Sequence, residues 1–117
     1  MALQHVSLEV READVPAEVA FWGLLGFAPA DVPPALAATT AWVQAGGTQV
    51  HLLIREEPVI PPGGHPAVVA EDYAGTLARL HAAGHEAQPR REHWGAPRCF
   101  VRSPAGHRVE VMAEGPV

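Results

Sequence analysis

The chain is short of positive charge. Its 117 residues hold 8 Lys plus Arg against 13 Asp plus Glu, a net charge of −5. No basic stripe is present to displace counterions from a phosphate backbone, which excludes nucleic acid as a partner. Cysteine is scarcer still. Cys99 stands alone, so no internal disulfide can form and nothing demands an oxidising compartment. No apolar run approaches the length of a membrane span. The opening "MALQHVSLEV" alternates and carries Glu9, unlike a signal peptide. The expectation is a cytoplasmic protein with no membrane partner. Its length suits one compact domain that folds without staples.

Turn formers, in contrast, are plentiful. The 12 prolines and 11 glycines punctuate the chain into short elements. Leu3 to Val10 alternates as a strand, with His5, Ser7 and Glu9 on one face. "ADVPAEVAFWGLLGF" follows, with Asp14 as N-cap, Pro16 in the first turn and Gly26 as the stop. Val15, Val19 and Trp22 give it an apolar stripe at helical spacing, widened by Phe21, Leu24 and Leu25. The proline-rich "FAPADVPPALAAT" has room for one short strand, and "TAWVQ" and "TQVHLLI" form two more around the turn "AGG".

The order then repeats. "HPAVVA" is a strand beginning at His65, and "EDYAGTLARLHAAGH" is a helix anchored by Leu77 and Leu80 and ended by Gly84. "EAQPR" is a weak strand, and "RCFVR" and "HRVEVMA" are strands around the turn "SPAG". "AWVQAGGTQVHLL" lies over "CFVRSPAGHRVEVM" with one extra residue in the second turn. This aligns Trp42 with Phe100, Gly47 with Gly106, Val50 with Val109 and His51 with Glu110. Such an internal repeat constrains the fold before anything else does. The expected modules are about 1–57 and 63–117 within a single domain.

Strand parity sets Val50, Leu52 and Ile54 on one face and His51 on the other. Likewise Val109 and Val111 oppose Glu110. The apolar faces can pack under the helices, and the mixed faces carry His5, His51, His65 and Glu110. Singly, a strand histidine or glutamate is most simply a solvated residue. Four at repeat-equivalent positions form a nitrogen and oxygen set that suits Zn, Ni, Co, Mn or Fe(II). His81, His85, His93 and His107 read as surface, turn or off-face residues, and Cys99 as a small core residue. Trp42, Trp94 and Arg98 are candidate pocket residues, an aromatic wall and a cation for an oxyanion; core packing and surface are their plain alternatives.

The stretches "LQHVSLEV", "FWGLLGF", "TQVHLLI", "HPAVVA" and "RCFVRSPAGHRVEVM" together resemble the vicinal oxygen chelate superfamily. It includes glyoxalase I, the fosfomycin-resistance thiol transferases, methylmalonyl-CoA epimerase, the extradiol dioxygenases and the bleomycin-resistance proteins. The resemblance implies an α+β fold of two βαβββ modules forming a cupped mixed sheet, commonly in a homodimer, sometimes with modules paired across subunits. The family's metal positions match His5, His51, His65 and Glu110. Glyoxalase I ordinarily has glutamate where this chain has His51. The stretch where fosfomycin enzymes carry a lysine and a small hydroxyl residue holds Arg90 and Trp94. The family's Asp-Pro-x-Gly turn stands here as Ser103-Pro104-Ala105-Gly106.

The implied activity is that of a metal-dependent, glyoxalase-like enzyme, a lyase, isomerase or transferase. A divalent ion would bind two oxygens of a small organic substrate and stabilise an enediolate or alkoxide as a Lewis acid. His5, His65 and Glu110 are then core ligands. His51 is a fourth ligand or a general base, and Glu110 a second candidate proton acceptor. An Fe(II) extradiol dioxygenase, with His5, His65 and Glu110 as its triad, is one alternative. A non-catalytic protein that sequesters an antibiotic is another.

Overall fold

A computed structural model describes all residues 1–117. The chain divides into two compact units, Met1–Ile60 and Pro61–Val117. The first contains β1 (His5–Val10), a 3₁₀ turn (Glu12–Asp14), α1 (Val15–Leu24), β2 (Ala28–Ala30), β3 (Thr40–Ala45) and β4 (Thr48–Ile54). The second contains β5 (Ala67–Val69), α2 (Tyr73–Ala82), β6 (Gln88–Pro89), β7 (Arg98–Arg102) and β8 (Arg108–Met112). Each unit is therefore βαβββ. As expected the sheet is mixed, and hydrogen bonds join the strands of each unit into a four-stranded sheet. Their orders are β1-β4-β3-β2 and β5-β8-β7-β6. In each, the first and last strands pair in parallel and the rest antiparallel.

The register reproduces the alignment read from the sequence. Trp42 lies opposite His51 and Val43 opposite Val50 in one sheet; Phe100 lies opposite Glu110 and Val101 opposite Val109 in the other. Alternation does the rest. The core of the first unit is aromatic: Phe21, Trp22, Val43 and Leu52 are fully buried, with Phe27 and Val50 nearly so. The core of the second is aliphatic: Leu80, Cys99, Val109 and Val111 are fully buried. Both helices stop where a backbone turns left-handed, at Gly26 and Gly84, each with φ of 88°. Only glycine adopts that conformation without Cβ strain.

Three local expectations are corrected. Asp14 makes no side-chain cap, because the 3₁₀ turn before α1 already winds the chain into helical dihedrals. The true cap is Asp72 on α2, whose carboxylate accepts from the Gly75 backbone N–H. The stripe of α1 centres on Phe21 and Trp22 but includes Glu18, which is fully buried. Its carboxylate accepts from Trp22 Nε1 at 3.3 Å. Finally, β5 begins at Ala67, not His65. Pro66 has no N–H to donate, and its carbonyl accepts from Glu110 N at 3.0 Å just ahead of the strand.

Candidate functional site

In the first unit the central strands assemble a stack of rings. His51 on β4 lies opposite Trp42 on β3 and Ser7 on β1, and directly opposed residues share a face. The Trp42 and His51 rings stack 4.1 Å apart at 8°. The His5 ring stacks on His51 at 4.0 Å and 15°. His51 is thus flanked by an indole and an imidazole and only 9 % exposed.

A chain of amides fixes its tautomer. Gln44 Nε2 donates to the Gly46 carbonyl at 2.9 Å, which turns Gln44 Oε1 toward Gln49. Gln49 Nε2 donates to that oxygen at 3.0 Å, which turns Gln49 Oε1 toward His51. His51 Nε2 meets it at 2.7 Å. An amide oxygen only accepts, so this assignment puts the ring hydrogen on Nε2 and the lone pair on Nδ1. Burial, and then the neighbouring His5, push the His51 pKa below its ordinary value. The ring is therefore neutral near pH 7. His5, which is exposed, bonds through Nδ1 to Gln4 Oε1 at 2.6 Å and keeps Nε2 free.

The second unit holds a charged counterpart. Glu110 on β8 lies opposite Phe100 on β7 and Ala67 on β5. His65 sits two residues before Ala67, as His5 sits two before Ser7. Its Nε2 meets Glu110 Oε1 at 3.1 Å, and its Nδ1 meets the Gly63 carbonyl at 2.8 Å. Arg98 Nη1 donates to Glu110 Oε2 at 3.2 Å, with both side chains nearly buried. Arg98 Nε donates to the Arg91 carbonyl at 2.9 Å, and its guanidinium lies 5.6 Å from the Trp94 ring centre. Trp94 is tied in turn to the Glu114 carbonyl at 2.8 Å.

The candidate residues therefore fall into two groups: His5, His51 and Trp42 in one unit, and His65, Glu110, Arg98 and Trp94 in the other. No three histidine, cysteine, aspartate or glutamate side chains are gathered as a group that could hold a metal ion. Sequence reading passed over Gln44 and Gln49, although each shares a face with His51 by parity. It also passed over Phe100, on whose ring the His65 edge packs at 5.2 Å. The donor chemistry fits a divalent cation. Each of the three imidazoles has one nitrogen engaged by a carbonyl oxygen. Metal-bound histidines are ordinarily held this way, with the other nitrogen left to the ion. In His65 that other nitrogen faces a carboxylate, the place where a cation is best stabilised.

Two βαβββ units with polar residues at matching strand positions define the class of protein. Its family follows from the sequence: residues 2–111 match the Glyoxalase/Bleomycin resistance protein/Dioxygenase superfamily, and the chain belongs to it. Solved structures agree on the fold. A glyoxalase family protein from Bacillus anthracis is 19 % identical, covers 96 % of this chain and 93 % of its own, and has a TM-score of 0.85. Lactoylglutathione lyase from Agrobacterium tumefaciens is 21 % identical, with coverages of 95 % and 92 % and a TM-score of 0.71. The oxidase ChaP-H2 is 16 % identical, with coverages of 98 % and 94 % and a TM-score of 0.77. No curated protein matches the chain. No helix is long and apolar enough to cross a membrane.

Proposed function

We propose that this chain is a metal-dependent enzyme of the glyoxalase type acting on a small, oxygen-chelating organic substrate. The observation that carries this reading is the pair of donor sets at repeat-equivalent positions, His5 with His51 and His65 with Glu110. In this reading His5, His51, His65 and Glu110, which match the family's metal positions, would hold one divalent ion. The bound ion supplies Lewis acidity toward two substrate oxygens.

The chain's own residues do the remaining work. The amide chain through Gln44 and Gln49 sets the His51 lone pair on Nδ1, and burial keeps that ring neutral and able to accept a proton or a metal bond. Arg98 holds one Glu110 oxygen, so Oε1 is the oxygen left to His65, to an ion or to a substrate proton. Trp42 and Trp94 provide apolar walls beside these groups.

The test is metal titration of apo-protein, followed by activity assays on a substrate panel with the loaded enzyme. Near-stoichiometric binding of Zn, Ni, Co or Mn is expected, and its loss in His65→Ala. That variant removes a part-buried side chain that lies outside the apolar core. Oxygen-sensitive Fe(II) with ring-cleaving turnover would move the assignment to the dioxygenase branch. Absence of metal binding, with tight antibiotic binding that survives His65→Ala, would replace the enzyme reading with sequestration.

A further inference from the structure

The second unit concentrates the chain's positive charge. It holds six of the chain's eight basic residues, Arg79 and the cluster Arg90, Arg91, Arg98, Arg102 and Arg108, in a protein of net charge −5. Three of their guanidiniums surround one ring. Arg108, Arg90 and Arg98 lie 4.7, 5.0 and 5.5 Å from the Phe100 ring centre. Arg98 is neutralised by Glu110. Arg90, Arg102 and Arg108 have no carboxylate within salt-bridge reach.

Arg102 and Arg108 also stand directly opposite each other across β7 and β8. Like charges at directly opposed positions destabilise a sheet. At the equivalent place in the first unit, Gln44 opposes Gln49 and the two hydrogen-bond at 3.0 Å. The cationic pair is thus not required by the fold. It is an uncompensated arrangement that a bound anion would relieve. The place for one is present: a cavity of about 560 Å³ lined by Arg90, Phe100, Arg102, Arg108, Gln88 and Glu86. That is the size of a small-ligand site, and its three guanidiniums face a single carboxylate, on the exposed Glu86.

We infer that this cavity is an oxyanion subsite that takes a carboxylate or phosphoryl group of a small organic ligand. Arg102 and Arg108 are its clamps and Arg90 its third cation. Phe100 is a positioning residue: its ring holds the Arg90 and Arg108 guanidiniums by cation–π attraction and leaves their N–H edges for the anion. Arg102 is further steadied by donating Nη1 to the Gly106 carbonyl at 3.2 Å. The proposed function enters at one point only, in making this anion the remote end of the substrate. Arg108 and Glu110 are two residues apart on β8, so the two ends are separated by roughly 7 Å. The substrate class is then an organic acid or phosphate ester whose anionic group lies about that far from its chelating oxygens.

The experiment uses the full chain, freed of metal with a chelator, titrated with inorganic phosphate and separately with benzoate. Binding is followed by NMR shifts of the arginine side chains and the Phe100 ring, against a chloride control at equal ionic strength. Saturable one-site binding of at least one of the two anions is expected, weakened about tenfold or more in Arg102→Gln and in Arg108→Gln. The better-bound anion identifies the group. The anion should raise the melting temperature of the native protein and not that of Arg108→Gln. Without anion, Arg108→Gln should be at least as stable as the native chain, so misfolding does not obscure the result. His65→Ala should bind the anion normally, which separates this inference from the metal assignment. Shifts that fail to saturate with either anion, or that match chloride, overturn it; so does binding that survives both glutamine variants.

Discussion

Gln44 faces Gln49 in one unit, and Arg102 faces Arg108 in the other, at the same register of the same pair of strands. The glutamines satisfy each other and pass a tautomeric preference to His51. The arginines cannot satisfy each other: Arg108 turns onto the Phe100 ring and Arg102 donates to the Gly106 carbonyl instead. Two residues along, Trp42 with His51 corresponds to Phe100 with Glu110, a neutral ring stack against a ring opposite a carboxylate that is paired with His65 and Arg98. Backbone pairing depends on N–H and C=O groups that every residue but proline shares. The sheet therefore tolerates any of these side chains on its polar face. The repeat fixes where functional groups stand; the residues that differ between its copies decide what each place does.

The two cores offer the sharpest way to test how far that equivalence extends. Trp22→Ala empties the aromatic core of the first unit and is expected to cost about 4 kcal/mol; Leu80→Ala in the aliphatic second core should cost about 3 kcal/mol. Denaturant unfolding measures both. A Trp22→Ala cost under about 1 kcal/mol would show that the fully buried indole is not a keystone of its unit.

The helix starts differ more finely. Asp72→Ala removes a carboxylate that caps Gly75 and should cost about 1 kcal/mol. Asp14→Ala removes a side chain that caps nothing, and its melting temperature should stay close to that of the native chain. Equal losses in the two variants would contradict the contrast between a capped helix and one led in by a 3₁₀ turn.

The finest contrast is in pH. His51 has its pKa depressed by burial and by His5, so between the folded value and the unfolded value of 6.5 the unfolded chain holds the extra proton. Its contribution to the stability of the metal-free protein is complete above that unfolded value and declines as pH falls through this window. Melting temperatures of native protein and His51→Gln, compared from pH 8 to pH 5, should therefore converge on acidification. A gap that widens in acid would reverse the assigned sign.

Much of this was legible in the residues. The glycines at 26 and 84, the alternation of Val50 and Val109, and the paired turns placed both modules and their register. These signals are local: periodicity and turn chemistry act within a few residues. His5, His51, His65 and Glu110 stood out because polar groups interrupted apolar strands at matched positions. What escaped was relational. Asp14 looks like a cap until the 3₁₀ turn ahead of it is known. Glu18 is fully buried and bonded to Trp22, which helical periodicity alone does not reveal. Arg98 looks like a free cation until strand pairing brings Glu110 within 3.2 Å.

By itself the sequence determined the element order, the duplication and the faces on which polar residues lie, because hydrophobic period and backbone stereochemistry are encoded in near neighbours. Only tertiary structure decided which side chains neutralise one another. Strand pairing sets Arg98 on Glu110, the amides on His51 and Arg102 against Arg108; turn chemistry gives the register, but which side chains then bond depends on neighbours brought in across the sheet. The charges left unpaired by that register, rather than those present in the composition, are where a ligand can act.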